Sequence, residues 1–418
     1  MRTVEPGVEQ ALVEERGANP SAIRAARAHL LELARARPAL VEALHQVLHP
    51  VVTPQASPPA SALAHLDQEL VLGAVRRHRL AIVLAPHAAA LGLPPPMSAQ
   101  LAQQGRHQQR LALPLIALAL ELLPALERSG LRALLLKGPA LAVQTTGQAW
   151  GRGGGDLDLL VAPGDVPAAV AVFEGLGFSS PPGMFPRDLS SFWGRYCRWV
   201  GHELSLHRPG SPWLDLHWAL TTGRAPHPSF EALWLEREMV SLNGKSLPTL
   251  GRHHAFQHGC LHAAADQWMN LNHLLDLARL APALPVEQRQ RLRRLKTVRL
   301  SCAAAYDATG CPELLSCTDP HRADCRRAIA RARWTQGRPQ RAIADGAWHP
   351  GHWLGIVIHA ASLSPAPIDW LRVVARFSLL PAAFNDPISG RDLGLAGMLQ
   401  ARWRRLQQRL QERRQEDS

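Results

Sequence analysis

Lysine is almost missing from this chain: Lys137, Lys245 and Lys296 stand alone among 46 basic residues, so the net charge of +12 rests on arginine. Such a bias is partly compositional. It does not by itself mark a nucleic-acid binder, although it suits anionic substrates such as nucleotides. The six cysteines (Cys197, Cys260, Cys302, Cys311, Cys317, Cys325) include no CxxC pair. That spacing argues against a zinc ribbon or a disulfide framework and fits a reducing, cytoplasmic setting. Aromatic residues make up 5% of the chain, and no basic helix interleaves several of them as a single-strand binder would. The amino-terminal stretch carries Glu5, Glu9, Glu14 and Glu15 rather than a basic region followed by an apolar one, so an ordinary signal peptide is not expected. The most apolar run, Leu111 to Leu126, is interrupted by Pro114, Glu121 and Pro124. It reads as buried helix, too short and broken for a membrane span.

What is present is enough for real cores. An apolar fraction of 46% over 418 residues implies two or three globular domains. Residues 1–129 read as a helical region: Pro20 is placed to open a helix, leucines from Leu30 to Leu48 recur at helical spacing, and Pro54 to Pro59 form a loop. Pro94 to Pro96 reads as a helix break before a helical pattern from Ser98 to Arg128. Residues 130–250 change character. Leu131 to Lys137 reads as a buried strand, Gly138-Pro139 as a turn, Ala140 to Thr146 as a short helix and Asp165 to Leu176 as another. His202 to His207 and Trp213 to Leu220 read as strands, and Asn243-Gly244 marks a hairpin. Residues 251–418 return to helical patterns.

The informative stretch is Asp156-Leu157-Asp158-Leu159-Leu160-Val161. Strand alternation sends Asp156 and Asp158 to one face and Leu157, Leu159 and Val161 to the other. Two carboxylates about 4 Å apart repel by roughly 4 kcal/mol at an effective dielectric near 20, a penalty that a divalent cation removes. Asp215-Leu216-His217-Trp218 supplies a third carboxylate if its strand lies beside the first. Magnesium or manganese, as two ions, would suit such an oxygen-rich site. Lys137-Gly138 at a strand end and Arg152 ahead of the DxD are candidate partners for phosphate oxygens.

Leu136-Lys137-Gly138-Pro139-Ala140-Leu141-Ala142, Arg152, Asp156 to Val161, Gly177-Phe178 and Asp215 to Trp218 occur in the order of an LKG…R…DIDLLV…DLHW pattern. With His258-Gly259-Cys260-Leu261-His262, Trp268, Leu271 and Asp276, they make residues 98–315 resemble uncharacterised bacterial nucleotidyltransferases of the DNA polymerase β-like superfamily. The resemblance implies an α+β fold, with a mixed-sheet nucleotidyltransferase core between helical amino- and carboxy-terminal regions. It implies Asp156, Asp158 and Asp215 as catalytic metal ligands, with Asp215 also able to take the acceptor's proton. Lys137, Gly138 and Arg152 would bind the nucleotide. The implied reaction moves NMP from an NTP to an acceptor, a small molecule, peptide or protein, with release of pyrophosphate. Pro139 stands where a small hydroxyl residue is usual in the superfamily, and the gap from Gly138 to Asp156 is longer.

Other readings stay open. His217 can orient Asp215 or bond within the core. His258 and His262, at i and i+4, can act near the acceptor or behind the ligands. A zinc site there would lack both the glutamate of HExxH and any evident third ligand. The arginine-rich stretches Arg289 to Arg299 and Arg402 to Arg414 read as solvated faces, with RNA binding or modification as the alternative. An inactive nucleotide- or peptide-binding protein of a biosynthetic pathway would keep much of the same pattern.

Overall fold

The structure is a computed structural model. It describes residues 37–49, 51–52, 62–63, 65–181, 185–186, 188–222, 227–337, 363 and 366–379, with 397, 400, 403, 404 and 407. The expected helix start at Pro20, the loop at Pro54 to Pro59 and most of Arg402 to Arg414 lie outside the described residues, whereas residues 37–49 of the leucine-patterned stretch are helical with Leu40, Leu44 and Leu48 buried.

In chain order the elements begin with α1 (Gln68–Arg77), α2 (Pro95–Arg128), β1 (Ala133–Leu135), α3 (Gly138–Thr146), β2 (Asp156–Val161) and α4 (Val166–Gly175). There follow α5 (Phe192–Val200), β3 (Glu203–Leu206), β4 (Trp213–His217), α6 (Phe230–Leu235), β5 (Glu238–Leu242) and β6 (Lys245–Thr249). The chain continues with α7 (Arg252–Ala265), α8 (Leu271–Leu280), α9 (Val286–Leu292), α10 (Lys296–Thr309), α11 (Ala323–Gln336) and α12 (Pro367–Leu379). Ahead of α1, residues 37–49 are also helical, and short 3₁₀ turns and the single turn Ala81–Leu84 add to these elements. The fold is α+β, as expected, and it divides into two compact units whose boundaries fall within α2 and α7.

The unit containing Leu111–Trp150 and Gly154–Ala255 carries the sheet. Its six strands run in the order β3-β4-β2-β1-β6-β5. β2 pairs parallel with β4 and antiparallel with β1, so the sheet is mixed. Alternation along β2 buries Leu157, Leu159 and Val161 in one core with Leu115, Leu122 and Phe173. Phe173 also meets Phe178 edge to face, with ring centroids 6.4 Å apart. Asn243 and Gly244 both take positive φ, 50° and 78°, and turn β5 into β6. That conformation follows the twist of the two strands, which is why an Asn-Gly pair announces the hairpin.

The prolines of α2 behave differently from expectation. Ser98 donates its N–H to the Pro94 carbonyl at 2.9 Å, so the proline run opens the helix rather than breaking one. Pro114 and Pro124 then sit inside a continuous 34-residue helix. Leu115, Leu118, Leu122 and Leu126 are buried at three- to four-residue spacing, and their packing outweighs the two missing amide donors. By length and mean hydropathy this helix could cross a bilayer, yet half of its most apolar window is buried within the protein.

The other unit, built on α1, the bulk of α7 and α8 to α11, is helical. Polar side chains tie its helix ends together. Arg77 donates to the carbonyls of Gln336 and Thr335 at 2.7 and 2.8 Å, closing the carboxyl end of α11. Trp268 donates to Ser301 at 2.8 Å, and Ser301 donates to the Cys260 carbonyl at 2.7 Å. All six cysteines are buried free thiols.

His78 makes this unit sensitive to acid. It is fully enclosed, its Nδ1 accepts the Leu271 N–H at 3.4 Å, and burial together with the Arg77 charge pushes its pKa down to about 3. An unfolded histidine titrates near 6.5, so below that pH the unfolded chain binds the extra proton and stability falls as pH drops toward 3. The loss at pH 5 is about 2 kcal/mol. Glutamine can donate and accept at this position without titrating. In urea unfolding, His78→Gln should therefore lose about 2 kcal/mol less than the wild type between about pH 7 and pH 5. Equal losses in the two proteins would contradict the assignment.

Candidate active site

The site follows from strand register. β2 and β4 run parallel with Asp158 directly beside Asp215, while Asp156 is paired with Trp213. β1 runs antiparallel to β2 with Leu135 opposite Leu159, and the Leu136 N–H donates to the Asp158 carbonyl at 3.1 Å. The carboxyl end of β1 therefore delivers Lys137 and Gly138 to the end of β2 that carries the aspartates. Gly138 opens α3 with φ at +57°, a conformation side-chain-bearing residues resist. A Cβ there would lie 3.7 Å from the Asp156 carbonyl, so the backbone angle rather than space calls for glycine.

Asp158 is the buried centre of the group. Its Oδ1 accepts from Lys137 Nζ at 3.0 Å and from His217 Nε2 at 3.0 Å. Burial alone would raise this carboxyl, but the Lys137 charge and the His217 bond override it and hold the pKa far below the usual carboxylate range. Burial likewise works against the Lys137 charge, and Asp158, with Asp156 and Glu203 adding, more than compensates and raises its pKa. Asp215 is half-buried. Its Oδ1 accepts from Ser205 on β3 at 2.6 Å, and its pKa is raised by burial, then by the neighbouring Asp158 charge, against the effect of the Ser205 bond.

β3 contributes more than the sequence reading assigned to it. Glu203 pairs in register with His217, and its Oε2 lies 3.5 Å from His217 Nδ1 and 3.3 Å from His202 Nε2. Asp158, His217, Glu203 and His202 thus lie in a row from the strand centre to the sheet edge, ending at Thr222, 3.1 Å from His202 Nδ1. Because Asp158 is ionised, His217 presents its Nε2 proton to it, which fixes the ring as an oriented support behind a carboxylate. The signal for Glu203 and Ser205 was their own alternation on a strand now seen to flank Asp215 and His217.

The remaining expected residues belong to the helical unit. Arg152 is buried there, and its Nε donates to Asp276 at 2.7 Å. Burial pushes the Asp276 carboxyl up in spite of that guanidinium. His258 is buried, and its ring meets that of His262 edge to face at 6.4 Å. His262 and His273 lie 3.4 and 3.5 Å from Asp266 Oδ2; Asp266 stands at i+4 from His262, whereas His273 is a neighbour that spacing could not reveal.

The chemistry of the sheet donors fits a hard divalent cation. Three carboxylates share one face of neighbouring strands, and an ammonium ion already sits against the most buried of them. Asp156, Asp158 and Asp215 are not themselves drawn within 4.8 Å as a set of three; His202, Glu203 and His217 are. Lys137 takes up the charge of Asp158.

The mixed sheet carries carboxylates on two parallel strands, with a lysine-glycine corner at the end of the next strand. The chain belongs to the family described as uncharacterised nucleotidyltransferases, whose profile matches residues 64–316. The matched region begins upstream of residue 98, where the motif-based resemblance starts. A search of curated proteins returned no match. Among solved structures, the chain is similar to an antigenic nucleotidyltransferase-like protein from Paracoccidioides brasiliensis, with 16% identity and a TM-score of 0.28. That similarity covers 56% of this chain and 91% of the other.

The Asp158–Lys137 pair has a measurable consequence. Asp158→Asn leaves a buried ammonium short of its principal counter-charge, a defect worth about 3 kcal/mol. Asp158→Asn should lower unfolding stability by that amount, and adding Lys137→Gln should recover more than half of the loss. Additive effects of the two substitutions in chemical denaturation would show that the pair is not coupled.

Proposed function

We propose that the chain transfers NMP from a nucleoside triphosphate to an acceptor nucleophile with release of pyrophosphate. The observation that carries this is the β2–β4 register, which sets Asp215 beside Asp158 on the face shared with Asp156. Family membership supports it. In this reading Asp156, Asp158 and Asp215 hold magnesium or manganese, as two ions. Bound there, the metal would lower the pKa of the attacking group and neutralise charge on the triphosphate.

The rest is work for the chain's own residues. Gly138 brings the backbone close to the triphosphate, and the first turn of α3 aims its amides at phosphate oxygens. Lys137 can exchange Asp158 for a phosphate oxygen at about the same reach. His217, through its Nε2 bond, keeps Asp158 oriented when Lys137 leaves it. Asp215 takes the acceptor's proton as a new bond forms to the α-phosphorus and the bond to the β-phosphate oxygen breaks in line. Arg152 keeps its candidacy as a nucleotide contact, and His258 and His262 theirs as acceptor-side groups. The acceptor is a small molecule, peptide or protein, and a cytoplasmic location remains part of this proposal.

The test is to offer all four α-labelled NTPs with magnesium or manganese to the purified protein in the presence of a cell extract and to follow labelled acceptor and pyrophosphate. One NTP should yield both. Asp156→Asn and Asp215→Asn should each cut the rate by at least about 100-fold while leaving the fold intact by circular dichroism. Nucleotide binding without turnover, unchanged in Asp215→Asn, would favour the inactive binding protein instead.

A further inference from the structure

Three groups of potential metal donors occur among the described residues, and one is separate in sequence from every residue discussed so far: Glu236, His253 and His254. Glu236 follows α6 directly, and the two histidines lie in the first turn of α7. The hairpin β5–β6 brings these ends together, since Glu238 pairs with Thr249. The corner is closely built. A Cβ on Gly251 would fall 2.4 Å from the Glu236 carbonyl oxygen, so the two backbone segments approach as only glycine permits. The Arg252 N–H donates to Glu238 at 2.8 Å, and its guanidinium is turned to the same carboxylate at 3.7 Å.

Within this corner Glu236 Oε2 lies 2.9 Å from His253 Nε2 and 3.4 Å from His254 Nε2, and the two rings are 3.8 Å apart. An ion pair between Glu236 and a protonated His253 explains the first contact but not the second. The His254 side chain is 9% exposed, and neither of its ring nitrogens has a hydrogen-bond partner. The 3.4 Å approach is within ionic reach without hydrogen-bond geometry. An enclosed imidazole in that condition is destabilising. A cation shared by all three donors removes the cost, and the spacing suits one: tetrahedral ligands at zinc bond lengths stand about 3.3 Å from one another.

We infer that Glu236, His253 and His254 bind a zinc-type divalent ion that fastens the start of α7 to the end of α6. Two imidazoles and one carboxylate are the donors of a borderline transition ion rather than of magnesium, which distinguishes this site chemically from the all-oxygen aspartates. The fourth ligand is water, because the glutamate is exposed and the site opens on that side. The ion's role is structural: it spans a turn and a helix start that the chain otherwise joins through Glu238 and Gly251.

The test uses the full chain stripped with a chelator and titrated with Co2+ alone, then with Zn2+ in competition. One equivalent of Co2+ should give the intense visible absorption of four-coordinate cobalt, and Zn2+ should bleach it and raise Tm. Glu236→Gln and His253→Gln, both at accessible side chains, should each weaken binding by at least about 100-fold, more than loss of an outer-shell partner does. Asp156→Asn should leave the absorption unchanged. Absence of the signal in the wild type, its persistence in both Glu236→Gln and His253→Gln, or its loss in Asp156→Asn would overturn the assignment. Circular dichroism of each variant confirms that lost binding is not lost folding.

Discussion

Everything at the sheet centre depends on how a buried carboxylate is kept charged. Asp158 has lost its water, and one oxygen is held by both Lys137 and His217. Without those two partners burial would favour the neutral acid, which neither binds a cation nor anchors a lysine. The register of three strands supplies both partners: β1 brings the lysine and β4 brings the histidine, along with Asp215. In a chain with three lysines, the one at the end of β1 is placed where a compact, mobile ammonium can trade a carboxylate for a phosphate. A guanidinium held by two parallel bonds would exchange less readily.

The support behind that centre is layered outward. Glu203 on the edge strand lies beside His217 and His202, and Ser205 holds Asp215. Each layer restricts the one inside it, so the acidic face is set by the sheet rather than by loops. Orientation fixed before substrate arrives is what an in-line displacement needs from its protein. The proposed zinc-type corner at Glu236, His253 and His254 would do for a helix start what the strand register does for the aspartates: hold backbone segments whose polar groups would otherwise be left unmatched.

The sequence displayed the centre and hid its surroundings, for physical reasons. Alternation alone places Asp156 and Asp158 together, and an Asn-Gly turn declares its hairpin. Asp215 could be joined to them because β4 carries the same apolar-acidic alternation as β2. Lys137 was legible as a phosphate partner but not as the mate of Asp158, since that depends on an antiparallel register no local pattern encodes. Arg152 pairs with Asp276, 124 residues away, and His273 reaches Asp266 from the next helix. Contacts of that kind are products of tertiary packing. Pro94 to Pro96 read locally as a break but open a helix whose four buried leucines carry it on past Pro114 and Pro124, as its helical pattern predicted.

The central claim is that Lys137 occupies the charge position that a divalent ion would take at Asp158. The most direct measurement is the affinity for Mn2+ without nucleotide in the wild type and in Lys137→Gln, which keeps a hydrogen-bond donor and removes the charge. The account predicts tighter binding in Lys137→Gln by about tenfold, equivalent to roughly 1.4 kcal/mol of relieved competition. Equal or weaker Mn2+ binding in Lys137→Gln would contradict it.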